Sequence, residues 1–365
     1  MARQAYACIS VLLLWPVISC ARLITSRPLG SATVSVVEAN DVLYMVANGA
    51  VLGAQYIDPE RRDDAVFPAD TVLHAARYLN RPLHRALQVG MGTGGVASYF
   101  RQHGIPTDVV EAHEEIVMLA EAFFDYEHCT QSRAACPHGK TVVSDALDYI
   151  EQHAPVKPAY DLVVIDAASE LRWCSDDTLW LLKQSWLRTD GTFTRLFQRN
   201  ALGVLVLSLV GFSSGPHAAL LSTVYATFRS TFQHVKVYRD GPDTTDAATL
   251  VVFGSSAAIA FTTASGSGPT RPLLEVAATS EAAGNDFEAW QVLSTAADKV
   301  EVTVEHDALT NDLTFDDLKP VDEAHVLSVK TDWAMYEPAI AAVVASRAAH
   351  WKSTLPPAVA AELSV

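Results

Sequence analysis

The segment ALQVGMGTGGV, residues 86–96, joins a short apolar run to a glycine-rich turn and then to a predicted helix over residues 96–103. Glycines at positions 90, 92 and 94 let the backbone turn tightly, and they let a ligand approach without a Cβ in the way. Amides at the start of the helix can donate hydrogen bonds to a polar or anionic ligand. The segment therefore predicts a strand, a ligand-binding loop and a helix in immediate succession.

Strands and helices alternate on the C-terminal side of this loop. Strands are predicted over residues 108–111, 141–143, 160–165, 203–209, 234–238 and 249–253, and helices over residues 115–124, 146–152, 178–187 and 217–232. Such alternation predicts an α/β fold, a Rossmann-like doubly wound sheet of seven mostly parallel strands. Its ligand is expected beyond the carboxyl ends of the strands, where the strand order reverses.

Three acidic residues stand at or just after the ends of these strands. Glu111 ends the second strand and can accept the hydroxyls of a ribose; the alternative is a solvated acid. Asp145 can meet the exocyclic amine of an adenine or cap the following helix, and the two roles are compatible. Asp166 directly follows the fourth predicted strand, in which five of the six residues are apolar. All three are therefore expected at the ligand-binding edge of the sheet.

These motifs resemble the class I S-adenosylmethionine-dependent methyltransferase superfamily, in particular its spermidine-synthase-like branch, the polyamine aminopropyltransferases and their relatives. The resemblance extends over residues 33–254. It implies that Gly90, Gly92 and Gly94 line the methionine and ribose portion of S-adenosylmethionine, or of its decarboxylated form. It further implies that Glu111 binds the ribose hydroxyls and Asp145 the adenine.

The sequence departs from the aminopropyltransferases at three motifs. The glycine loop of the aminopropyltransferases resembles Gly-Asp-Gly-Gly, and here Thr93 replaces its Asp. Residues 166–170 read DAASE where the aminopropyltransferases have Asp-Ser-Ser-Asp-Pro. Asp166 therefore keeps the first acid of that motif, and Ser169 replaces the second. Their Tyr-His-Glu corresponds to Pro68-Ala69-Asp70. Asp166 is therefore the one catalytic candidate, as a group that receives or steers a proton.

Three hypotheses follow from this pattern. The first is a methyltransferase that uses S-adenosylmethionine and acts on an unknown small-molecule or protein acceptor. The second is a catalytically inactive secreted binding protein on the same fold, because fold does not imply function. The third is an aminopropyltransferase, against which the three departures argue. A dinucleotide oxidoreductase fits the glycine loop and Glu111, but the later motifs match the methyltransferases better.

The sequence predicts four regions. Residues 1–21 form a leader with Arg3, an apolar run and small residues before position 22, and they predict a secreted or lumenal protein; a retained signal anchor or a lipoprotein is the alternative. Residues 32–60 predict a small antiparallel unit of two or three strands with an Asn48-Gly49 hairpin. Residues 61–256 form the cofactor-binding domain. Residues 257–365 form an acidic, α-rich extension with helices near residues 286–297 and 334–351, after a linker at residues 262–270.

Composition limits the choice of partners. The 365-residue chain has a net charge of −16, and its last 109 residues carry 16 Asp and Glu against 6 Lys and Arg. So acidic a chain is not expected to bind nucleic acid. No stable membrane span is expected once the leader is cleaved. The chain could form a homodimer. Cys129 and Cys136 could pair in an oxidising compartment or stay free, and their spacing predicts no metal site.

Overall fold

The computed structural model describes residues 22–30, 32–47, 50–130, 135–153, 160–168, 202–212, 215–240, 247–261, 287–294, 300–303 and 337–362. The predicted leader, the helix over residues 178–187 and the linker at residues 262–270 lie outside these ranges. So do Ser169 and Glu170.

The N-terminal part of the chain forms a four-stranded antiparallel sheet. Its strands are β1 (Arg22–Leu29), β2 (Ala32–Ala39), β3 (Val42–Ala47) and β4 (Ala50–Tyr56), in that order across the sheet. Ala47 pairs with Ala50, as the predicted two-residue hairpin requires. The prediction of two or three strands missed β1. This edge strand has mostly exposed residues and includes a proline, so it lacks the apolar alternation that marks a strand.

A second, central sheet follows. Its strands are β5 (Ala86–Val89), β6 (Thr107–Glu111), β7 (Thr141–Val143), β8 (Leu162–Ala168), β9 (Val204–Gly211), β10 (His234–Asp240), β11 (Ala248–Ser255), β12 (Phe287–Ser294) and β13 (Val300–Thr303). The order across the sheet is β13-β12-β10-β11-β9-β8-β5-β6-β7. Strands β7, β6, β5, β8 and β9 are mutually parallel, and β11 lies antiparallel between β9 and β10. The Rossmann-like, mostly parallel sheet of β5 to β11 is thus confirmed.

Strand β12 corrects one expectation. Residues 286–297 were expected to be helical, but Phe287–Ser294 pairs in parallel with β10 through Val237 and its neighbours. Without this pairing β10 would be the edge of the sheet, and pairing with an exposed edge favours a strand over a helix. Short apolar runs are ambiguous between the two states when the sequence is read alone.

Helices cover both faces of the central sheet. They are α1 (Pro68–Ala75), α2 (Gly95–Gln102), α3 (Glu114–Phe123), α4 (Ala146–His153) and α5 (Ala219–Thr231), with short 3₁₀ turns at Pro59–Arg61 and Ala76–Tyr78. On one face α4 and α5 bury Ile150 and Phe228. On the other, α1 and α2 bury Leu73 and Phe100. Two apolar layers around one sheet are the doubly wound arrangement that the alternating pattern predicts.

Two helices in the C-terminal part of the chain pack against the rest of the fold. Helix α6 (Glu337–Thr354) confirms the helix expected near residues 334–351, and α7 (Pro357–Glu362) follows it. Trp351 and Val359 pack into the apolar face of the N-terminal sheet, and Phe67 meets the Trp351 ring edge-on. Among the described residues no helix is long and apolar enough to cross a membrane.

Cys129 and Cys136 form a disulfide, which decides between the two alternatives left open for them. The bond closes a loop between two cysteines seven positions apart, in the segment between α3 and β7. The loop is also tied by backbone hydrogen bonds, because the amide of Thr141 donates to the carbonyl of Cys129 and that of Gly139 to the carbonyl of Cys136. The disulfide therefore lies beside β7, at one edge of the central sheet.

Candidate functional site

Strand order places the expected ligand cleft between β5 and β8. The chain runs from β5 to β6 and β7 on one side, and then returns to β8 on the other side of β5. Ligands of open α/β sheets bind outside the carboxyl ends of the strands at such a switch point. Gly90 follows β5, and Asp166 lies near the end of β8, where the register with β9 shifts between Ile165 and Ala168. Such irregularities often re-aim a side chain next to a site.

The glycine loop is held by contacts within the chain. Gly90, Gly92 and Gly94 have φ of 76°, 50° and 81°. A Cβ on Gly92 would lie 2.0 Å from the carbonyl oxygen of Leu52 in β4, and one on Gly94 would lie 2.3 Å from the Tyr126 ring. The sequence alone suggests close approach of a ligand at these positions. In the structure the close neighbours of Gly92 and Gly94 are the N-terminal sheet and an aromatic side chain.

Glu111 anchors this loop. It is buried, and its carboxylate accepts hydrogen bonds from the backbone amides of Met91 and His113, each at 3.0 Å. Burial raises the pKa of Glu111, and the amides, including that of Ala112, act in the opposite direction. Holding the loop is a role that the sequence did not suggest. The ribose-binding role implied by the resemblance stays a prediction.

Asp145 caps a helix. Its carboxylate accepts a hydrogen bond at 3.1 Å from the amide of Asp148, in the first turn of α4, and the side chain is exposed. The helix-cap interpretation is therefore confirmed. Contact with an adenine uses the same carboxylate and stays a prediction.

Asp166 lines a cavity of about 280 Å³, here called the acidic cavity. The cavity is bounded by β4, the loop after β4, α1, the glycine loop and α2; Met91, Thr93 and Gly95 form its glycine-loop wall. Glu111 and Asp145 are not among its lining residues, and neither are Gly90, Gly92 and Gly94. Of the predicted site residues, the structure thus brings only Asp166 into this cavity.

Burial raises the pKa of Asp166 to about 7, although a hydrogen bond with Ser208 on β9 opposes the shift. A carboxyl group with this pKa changes charge near neutral pH. It can therefore hold or release a proton under physiological conditions, which is the property of a general acid or base.

The acidic cavity contains four aspartates besides Asp166: Asp63, Asp64, Asp70 and Asp125. Its one lining arginine among the described residues, Arg62, is paired with Asp125. The lining is therefore net acidic and favours a cationic group.

His74 lies in the same cavity wall and is buried. Its ring stacks on Tyr99 of α2, with centroids 3.9 Å apart and planes 7° apart. Burial, helped by His103, lowers the pKa of His74 to about 3, so the imidazole is neutral at physiological pH. Sequence reasoning missed His74. The weak signal was a polar residue among the apolar residues of a helix, four positions after Asp70.

Among the described residues no group of three or more His, Cys, Asp or Glu side chains could hold a metal ion. No protein-family model and no curated protein matches the sequence.

Solved structures do match. A probable spermidine synthase from Corynebacterium glutamicum is 16% identical and covers 67% of this chain and 84% of its own, with a TM-score of 0.48. Spermidine synthase from Thermotoga maritima is 15% identical over 65% of this chain and 73% of its own, with a TM-score of 0.42. Human methyltransferase-like protein 13, in complex with SAH, is 20% identical over 58% of this chain and 89% of its own, with a TM-score of 0.38. These structures are what the chain is similar to, and its Rossmann-like fold is established by the strand order and strand pairing of the central sheet itself.

Proposed function

We propose that this chain is an S-adenosylmethionine-dependent methyltransferase whose acceptor is an amine. The observation that carries the proposal is the acidic cavity, which joins the glycine loop to Asp166 at the switch point of the sheet. An acceptor amine attracted there would lie close to the loop expected to hold the cofactor.

The residues present fit such a cofactor. S-adenosylmethionine would supply a methyl group activated by a positively charged sulfonium, which a net acidic lining favours. Glu111 retains acceptor capacity, because a carboxylate has about four acceptor positions and three backbone amides act on this one. The expected assignment remains Gly90, Gly92 and Gly94 along the methionine and ribose, Glu111 at the ribose and Asp145 at the adenine.

The role of Asp166 follows from its pKa and its position. An amine acceptor must lose a proton in the course of methyl transfer, and a nearby group has to receive it. Asp166 is partly buried at the cavity wall, with a pKa of about 7. General bases work best when their pKa lies near the operating pH. Asp70 and Asp63, which border the same cavity, would attract the cationic form of the acceptor, whereas Asp64 is paired with Arg61 at 3.6 Å.

Aminopropyl transfer is the second candidate. On sequence, the missing acids of the aminopropyltransferase motifs argue against it. The cavity supplies acids from other positions, because Asp63 and Asp64 join Asp70 and Asp166 in its wall. Methyl and aminopropyl transfer would then share an amine acceptor and differ in the form of the cofactor. A secreted binding protein without catalysis remains the third candidate.

The charge of Asp166 makes a testable difference between two ligands. S-adenosylmethionine carries a sulfonium charge that S-adenosylhomocysteine lacks. Because Asp166 becomes ionised as the pH rises through about 7, we expect S-adenosylmethionine to bind about tenfold more tightly at pH 8 than at pH 6. Binding of S-adenosylhomocysteine should change less. Calorimetric titration of the full chain at both pH values measures the difference.

Asp166→Asn is the matched control, since it keeps the shape of the side chain and cannot ionise. It should abolish the extra pH dependence of S-adenosylmethionine. Decarboxylated S-adenosylmethionine, titrated alongside, distinguishes the two transfer reactions by preference. If a folded sample binds none of the three ligands, both enzymatic proposals are wrong and the binding-protein alternative stands.

A further inference from the structure

His74 is a buried polar side chain whose hydrogen-bonding groups are not used within the described part of the chain. Its exposed fraction is 4%, and neither Nδ1 nor Nε2 has a hydrogen-bond partner among the described residues. Buried polar groups in native proteins are nearly always paired, and an orphan calls for an explanation such as a ligand or water. His74 also lines the acidic cavity, so a molecule bound there is within its reach.

The ring is already fixed in position. Stacking on Tyr99 holds its plane, and Tyr99 is itself flanked by His103, whose ring centroid lies 4.3 Å away. Packing alone gives no reason for an imidazole here, because a phenylalanine could stack on Tyr99 without burying two polar nitrogens. The nitrogens are therefore the feature that packing leaves unexplained.

The surroundings limit the chemistry of the missing partner. A neutral imidazole offers one donor and one acceptor nitrogen. Asp70 stands four residues before His74, on the same face of α1, and both line the cavity. An amine fits this pair, because it can donate one N–H to the acceptor nitrogen of His74 while its charge is stabilised by the carboxylate.

We infer that His74 binds the amine substrate: one of its ring nitrogens accepts a hydrogen bond from an amine N–H of the molecule bound in the acidic cavity. The inference rests on the amine acceptor of the proposed function, but not on the transfer reaction. His74 acts here as a binding residue, and the receipt of the proton in the reaction is left to Asp166. The low pKa of His74 is consistent with this role, since a neutral ring keeps an acceptor nitrogen available.

The test uses 1,4-diaminobutane as the amine probe and the full chain saturated with S-adenosylhomocysteine. His74→Phe keeps an aromatic ring against Tyr99 and removes both nitrogens. We expect it to weaken binding of the diamine at least tenfold, to change the affinity for S-adenosylhomocysteine less than twofold, and to leave the melting temperature unchanged or raised. His74→Gln, which restores an acceptor, should recover part of the diamine affinity. His74→Leu, which also lacks an acceptor, replaces His74→Phe if that variant fails to fold.

His103→Phe is the matched control. His103 flanks the same tyrosine but is exposed and lies outside the cavity lining, so its replacement should leave diamine binding unchanged. Equal diamine affinity in wild type and His74→Phe, or no diamine binding by the wild type, would overturn the inference. The two proposals fail separately. The diamine titration is therefore repeated without S-adenosylhomocysteine. Loss of diamine binding in His74→Phe there, in a chain that binds neither S-adenosylmethionine nor S-adenosylhomocysteine, would support the role of His74 and reject the cofactor.

Discussion

Gly92→Ala is expected to lower the free energy of unfolding by about 3 kcal/mol or more and to abolish cofactor binding. Gly92 has a φ of 50°, a left-handed conformation that costs a residue with a Cβ about 1 kcal/mol. The larger cost is steric, because the new Cβ would lie 2.0 Å from the carbonyl oxygen of Leu52. The carbonyl oxygen is a backbone atom and the position of the Cβ is fixed by the backbone, so no side-chain rotation relieves the clash. Either the glycine loop or β4 has to move.

Gly95→Ala is the control within the same loop. Gly95 is the first residue of α2, and among the described residues a Cβ there would meet only the Thr93 hydroxyl, at 3.7 Å. Alanine at this position is expected to change stability by less than about 1 kcal/mol. Chemical denaturation of the two variants, followed by titration with S-adenosylhomocysteine, measures both effects. Equal stability of Gly92→Ala and Gly95→Ala would mean that the N-terminal sheet does not press on the loop as described.

The order of strands and helices in the central sheet could be predicted because each element has a strong local pattern. Strands β5 and β7 begin and end at the predicted residues, and the helices differ from prediction by a residue or two at most ends. Strands β1 and β12 could not be predicted, because what makes them strands is pairing with distant residues such as Val37 and Val237. Register with a neighbouring strand is a tertiary property, and no local pattern contains it.

The candidate site, too, has residues that could be predicted from the sequence and residues that could not. Asp166 could be predicted because it follows a buried strand, and the carboxyl ends of parallel strands meet at one edge of a sheet. Asp63 and Asp64 stand in a charged loop, and nothing local distinguishes a loop acid that faces a cavity from one that faces solvent. His74 is harder still, because its significance depends on Tyr99 from another helix and on the absence of a partner within the described residues. Cavities are made by packing, so their polar lining is found only when elements are brought together.

Glu111→Ala is expected to weaken binding of S-adenosylmethionine and S-adenosylhomocysteine at least 100-fold, and to destabilise the chain by about 2–4 kcal/mol. Alanine has no carboxylate to bind the ribose hydroxyls, which is the role that the resemblance implies for Glu111. It would also leave the buried amide of Met91 and the partly buried amide of His113 without their acceptor. The two effects have one cause, since the group expected to bind the ribose also anchors the loop beside it.

Glu111→Gln separates the anchor from the ribose contact. Glutamine has the shape of glutamate but only one acceptor oxygen, so one of the two amides faces an NH₂ group instead. We expect a stability between those of wild type and Glu111→Ala, with cofactor affinity reduced along with it. For stability alone, Asp145→Ala is the control next to the neighbouring strand, where loss of an exposed helix cap should cost only about 1 kcal/mol. Denaturation curves and calorimetric titrations of the three variants test this order. If Glu111→Ala bound both ligands as tightly as wild type, Glu111 would be an anchor of the loop alone, and the cofactor would have to be sought elsewhere along the sheet edge.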